Sequence, residues 1–188
     1  MSKIMSQNFK SIILSNTQGI YNKEATLDVT GAPDSEVNPG MIVEMKATNP
    51  TEIGVDSVVP HPTAGGYSEM QVLLEDELQG AGIYKPASSS EYGAPPNSDL
   101  ALLANAQIVQ SRILQKGDQF LAVMRQASGG TASETIIAKG GIMTSAGNGC
   151  MRAHTGTEAK LVRALESVTL PVPGSADARC YIPVEVIG

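Results

Sequence analysis

Apolar and polar positions along this chain fall into short runs, each bounded by Gly, Pro, Asn or Asp. Asn38-Pro39-Gly40 predicts a turn before a short strand from Met41 to Lys46, since Pro presets φ and Gly accepts backbone angles that other residues avoid. A Pro-rich loop and Gly65-Gly66 then precede a strand from Tyr67 to Leu73. Lys116-Gly117-Asp118 turns into a strand from Phe120 to Met124, and SETIIAKGGIM holds another that ends at Gly140-Gly141. AKLVRALESVTL and the closing ARCYIPVEVIG complete the series. Turn signals recurring roughly every 8–15 residues are the pattern of a barrel or a sandwich.

The stretch GIMTSAGNGCMRA, residues 141–153, predicts a hairpin. Asn148-Gly149 is the favoured pair for a type I′ turn, in which both central residues take positive φ. The turn sets strand register and carries no reactive group. Two segments fit the strand pattern less well. SDLALLANAQIVQSRIL (98–114) has Ser98 as an N-cap and Leu100, Leu103, Ala104 and Ile108 on a rough helical stripe, which predicts one short helix. TEAKLVRALESV has Leu161, Ala164, Leu165 and Val168 at helical spacing, yet its alternation serves a strand equally well. Propensity alone does not choose between them.

Hydrophobic residues are 41% of the 188, enough for a core, but aromatics are 4% and Trp is absent. The core must therefore be built from Val, Ile, Leu, Met and Ala. The net charge of −6 is unevenly spread: residues 1–99 carry 5 basic and 13 acidic side chains (−8), and residues 100–188 carry 8 and 6 (+2). A mildly acidic chain without a basic block is poorly suited to nucleic-acid phosphates. No apolar run approaches the ~18 residues of a membrane span. Ile12-Ile13-Leu14 is too short for the apolar region of a signal peptide, so synthesis in the cytoplasm is expected. Residues 1–20 read as an N-terminal arm and 21–188 as a single β-rich domain. Phe9 and Ile12 to Leu14 are more apolar than a solvated tail requires, and Phe9, Lys10, Ile12, Ile13 and Leu14 are the candidate contacts of that arm.

Few residues of the chain carry a recognisable chemistry. His61, between prolines, and His154 lack partners at metal spacing, and no metal or cofactor is expected. No phosphate-binding Gly loop, His-Glu-x-x-His or Gly-x-Ser-x-Gly occurs. Ser128 in ASGGT has no identifiable base and reads as part of a polar loop. Glu75, Asp76 and Glu77 lack the alternating ligand spacing of a calcium loop and read as a solvated acidic loop or as a contact for a basic surface. Cys150 and Cys180 read as small buried apolar residues. The chain makes no case for an enzyme.

LQGAGIY (78–84), KGDQFLAVMRQASGG (116–130), KGGIMTSAGNGCMRA (139–153), VRALESV (162–168) and ARCYIPVEVIG (178–188) follow one another in an order that resembles the structural cement, or head decoration, proteins of tailed bacteriophages. The resemblance spans roughly residues 40–188 and rests on turn chemistry in a shared order. It implies a small β-barrel or β-tulip-like domain in which the ALE segment is a strand and the chain ends in a short strand of alternating valines. It implies a place on the outer surface of an expanded icosahedral capsid, with the major capsid protein and further copies of the chain as partners. A homotrimer is the expected assembly, with a dimer as the alternative, and neither nucleic acid nor membrane takes part. The segment 85–114, rich in Ser, Pro and Ala, reads as an insertion relative to that group. The competing expectation is a host-surface or carbohydrate-binding module displayed on a virion, against which the scarcity of aromatic platforms counts.

Overall fold

The computed structural model describes residues 12–15, 22–31, 37–46, 57–66, 69–74, 108–125, 136–169 and 179–188. Among them the chain is all β, without a helix. The strands, in chain order, are β1 (Ile13–Ser15), β2 (Asn22–Leu27), β3 (Ile42–Met45), β4 (Ser57–Pro60), β5 (Gln71–Leu73), β6 (Ile108–Ile113), β7 (Gln119–Arg125), β8 (Ile136–Ile137), β9 (Ile142–Ser145), β10 (Met151–Ala153), β11 (Val162–Ala164), β12 (Val168–Thr169) and β13 (Arg179–Val186).

Two five-stranded barrels result. In the first, β2, β4, β3, β5 and β6 are neighbours in that order and β6 returns to β2. In the second, β7, β10, β9, β11 and β13 follow one another, and β13 closes on β7 from Arg179↔Arg125 to Glu185↔Gln119. β8 and β12 form a separate two-stranded ribbon. The mainly-β barrel expected from the turn spacing is therefore the fold, present twice. Closure removes the exposed edges that a short-stranded open sheet would present to other chains.

The burial pattern explains the sequence pattern. In β13, Cys180, Ile182, Val184 and Val186 point into the core while Tyr181 and Glu185 are half-buried, the period-two alternation of a barrel wall. In β7, Phe120, Leu121, Ala122, Val123 and Met124 are all buried. A strand covered on both faces has no reason to alternate. Phe120, Ala122 and Met124 join the core of the second barrel, while Val123 packs with Ala25, Leu27, Val43 and Val58 of the first. Ile42 and Val72 reciprocate, leaving β3 and β5 to pack with the core of the second barrel. The two cores thus meet through β7.

One expectation is corrected. Ile108–Ile113 is strand β6 and not the end of a helix; it pairs with both β2 and β5, so it closes the first barrel. The part of 85–114 that is described is therefore integral to the barrel, and residues 85–107 lie outside the described residues. Helical spacing in an isolated stretch loses here to two ladders of backbone hydrogen bonds. Within the expected arm, Ile13–Ser15 is β1, paired with β7, and Ile12 is 3% exposed in the core. Phe9 and Lys10 lie outside the described residues. The open case at 157–168 resolves into β11 and β12, because Val162, Ala164 and Val168 are buried and Arg163 faces outward.

Candidate functional site

Among the described residues the joint between the barrels is closely constrained, and it begins with the Asn38-Pro39-Gly40 turn. Gly40 takes φ of +86°, and a Cβ built there would lie 2.5 Å from the Leu121 carbonyl oxygen. Only Gly lets the turn approach β7 so closely. β13 runs along one edge of β7. The other edge is shared in sequence: Leu121 N–H donates to the Ile12 carbonyl at 2.8 Å, Val123 N–H to the Gly40 carbonyl at 3.2 Å, and Met124 pairs with Met151 of β10. Gly40 N–H donates in turn to the Leu73 carbonyl at 2.8 Å, and the Tyr181 hydroxyl donates to the Pro39 carbonyl at 3.0 Å. A turn from one barrel thus completes the strand edge of the other.

The 141–153 hairpin supplies the second half of the joint. Ser145 pairs with Met151, so Asn148 and Gly149 stand at the tip as expected. The connection is longer than a two-residue type I′ turn: Ala146 N–H donates to the Cys150 carbonyl at 2.8 Å around Gly147, Asn148 and Gly149, and the positive φ values fall on Gly147 and Gly149. Cys150 N–H is accepted by Asn148 Oδ1 at 3.2 Å. Asn148 is half-buried, and the Gly149 side of the tip does not face solvent. Gly149 is buried, its carbonyl accepts from Ile42 N–H at 2.8 Å, and its N–H donates to the His61 carbonyl at 3.2 Å. Ala64 bridges to Ala146, and Gly65 N–H donates to the Ser145 carbonyl at 2.8 Å.

His61 sits at the centre, 1% exposed. Its Nδ1 is 2.8 Å from Ser145 Oγ, and its Nε2 is 3.8 Å from a carboxylate oxygen of Glu44. Ser145 Oγ also accepts from Gly147 N–H at 3.1 Å. A Ser-His-Glu series has the composition of a nucleophilic relay. Here the Ser145 side chain is buried at 0% exposure, and an attacking oxygen must be able to reach a substrate carbon. In this arrangement the series acts as a polar clasp, satisfying buried groups of both barrels.

A second clasp joins β10 to the loop between β10 and β11. Arg152, 7% exposed, donates to the Ala153 carbonyl at 3.0 Å and pairs with Glu158. Glu158 Oε2 accepts from Thr155 N–H at 2.9 Å and from its hydroxyl at 3.2 Å. Burial pushes the Glu158 carboxyl up, but Arg152 and Thr155 together hold it below the ordinary carboxylate range. His154 Nε2 is 2.9 Å from the Glu158 carbonyl, which only accepts, so that nitrogen carries the proton. Ala159 N–H donates to the Gly65 carbonyl at 2.9 Å and fastens this loop to the first barrel.

The remaining sequence candidates disperse. His61 and His154 belong to different clasps, and no group of metal-ligating side chains forms among the described residues. Ser128 and Glu75 to Glu77 lie outside the described residues. Cys150 and Cys180 are buried and not in a disulfide; burial, with Cys150 nearby, pushes the Cys180 thiol up to about 12. Sequence reasoning missed the His61–Ser145 contact and the docking of Gly40. The only signal was chemical, a lone His between prolines and a Gly after Pro, and neither identifies a partner. Among the described residues the fold and the joint define two β-barrels fastened through backbone and buried polar contacts. No known family model matches the chain, and no curated protein does.

Proposed function

We propose that this chain is a structural virion protein that decorates and stabilises the outside of an expanded icosahedral phage capsid. The observation that supports the reading is where the resembling motifs lie. KGDQFLAVMRQ covers β7, KGGIMTSAGNGCMRA covers β9 and β10, VRALESV covers β11 and the start of β12, and ARCYIPVEVIG covers β13. Four stretches scattered over the sequence become neighbours in one closed sheet. Motifs that share an order and also share a barrel make a coherent structural unit.

The physics of the role is compatible with such a unit. A protein that binds the expanded lattice and not its precursor stabilises the expanded form by mass action. Many identical contacts around a closed shell add through multivalency. A joint held by backbone hydrogen bonds keeps the binding surface in one shape, which lowers the entropy lost on docking. The major capsid protein is the partner, with the chain itself as a homotrimer.

The test is co-sedimentation of the purified chain with expanded and unexpanded shells of its source virus, read as bound copies at saturation. Saturable binding to the expanded form alone is expected. Binding to neither form overturns the proposal and favours the host-surface module instead.

A further inference from the structure

Asn148-Gly149 is the one Asn-Gly step in the chain. In an open chain this dipeptide is chemically labile, since Gly leaves its amide nitrogen unhindered for attack on the Asn side chain. We infer that Asn148 is a latent deamidation site, held shut by the docking of the hairpin tip and opened only when the two barrels part there.

The reaction is an intramolecular acyl transfer followed by hydrolysis. Gly149 N loses its proton to solvent base and attacks Asn148 Cγ. The new N–Cγ bond forms, the Cγ–Nδ2 bond breaks and ammonia leaves. Water then opens the succinimide at either carbonyl, giving aspartate or isoaspartate.

Each requirement of the first step is opposed here. Gly149 N–H is engaged by the His61 carbonyl at 3.2 Å and the residue is buried, so its proton is shielded from base. Asn148 Oδ1 is occupied by Cys150 N–H at 3.2 Å, which fixes the side chain that would have to swing onto the backbone. The Gly149 carbonyl, in the next peptide, is held by Ile42 N–H at 2.8 Å, so Gly149 is fastened through both of its peptide groups.

The product is also excluded. Isoaspartate adds a methylene to the main chain between the Ala146–Cys150 bond and the Gly149–Ile42 bond. The tip has no slack for it: even a Cβ on Gly149 would meet Pro60 Cβ at 3.1 Å and the Ile42 carbonyl at 3.2 Å. A chain that opens, reacts and becomes isoaspartyl cannot close again. Deamidation at Asn148 therefore records cumulative opening of the joint, and it does so whatever the protein binds.

The test is site-resolved mass spectrometry of the full chain aged in mildly alkaline buffer, folded and in denaturing urea. The folded rate at Asn148 is expected to be more than about tenfold below the unfolded rate, because reaction waits on local opening. Equal rates, or no reaction in urea, overturn the inference. Ser145→Ala, which removes the bonds to His61 and Gly147, is expected to raise the folded rate; no change overturns the gate. Should that variant not fold, wild-type chain below its urea transition serves instead, and its Asn148 rate must climb with urea. Asn148→Asp, which keeps the Oδ1 acceptor and the backbone length, is expected to melt close to wild type. The isolated isoaspartyl form is expected to melt well below it.

Discussion

His61 Nδ1 lies 2.8 Å from Ser145 Oγ, a buried contact between residues 84 positions apart. It ties the segment after β4, in the first barrel, to the last residue of β9, in the second. A hydrogen bond between buried groups matters most through what its loss leaves behind. Ser145→Ala leaves both His61 Nδ1 and Gly147 N–H without this oxygen. The expected cost is about 1–3 kcal/mol, read as a lower urea midpoint at unchanged slope.

Gly40 provides a sharper test, because a control is built into the fold. Gly31 and Gly40 have φ of +82° and +86°, but a Cβ at Gly31 meets nothing within 4 Å and one at Gly40 meets the Leu121 carbonyl at 2.5 Å. Gly31→Ala is expected to cost about 1–2 kcal/mol for left-handed backbone alone. Gly40→Ala should cost clearly more in the same urea series. Equal losses would show that the close approach of the turn to β7 is not tight.

Ile12 tests whether the chain before β2 belongs to the fold. It is 3% exposed and packs in the core with β7, whereas Ile136 is 57% exposed. Ile12→Ala is expected to lose about 2–5 kcal/mol. Ile136→Ala should stay within about 0.5 kcal/mol of wild type. Thermal melts of the two variants decide between a core residue and a dispensable terminus.

Asp28 sets a pH dependence. Its hydrogen bond from Lys46, then those from Thr30, lower its carboxyl from 3.8 to about 2. A depressed carboxylate stabilises the folded state fully above its unfolded value, and that contribution fades as pH falls through the folded one. The loss therefore falls between about 4 and 2, and stability should rise with pH across that window. In Lys46→Ala the slope across this window should flatten. A carboxyl titration of Asp28 by NMR checks the assignment directly, since an unshifted wild-type value would remove it.

Much of this protein follows from local chemistry. The strand after Gly117-Asp118, the strand after Asn38-Pro39-Gly40 and the hairpin around Asn148 all come from what a few adjacent residues allow: Pro presets φ, Gly takes it positive, and alternating side chains fill one face. Ile108–Ile113 and Val162–Ala164 were not legible in that way, since helix and strand are nearly equal choices for them until a partner strand is present. β6 is a strand because Ala25 and Val72 lie opposite Val109 and Arg112 on its two sides. The same distinction covers the joint. His61 and Ser145, or Gly40 and Val123, carry no mark of each other in the sequence, because a contact across the fold depends on the closure of both barrels. Turns are decided within a few bonds; partners are decided by which surfaces closure brings together.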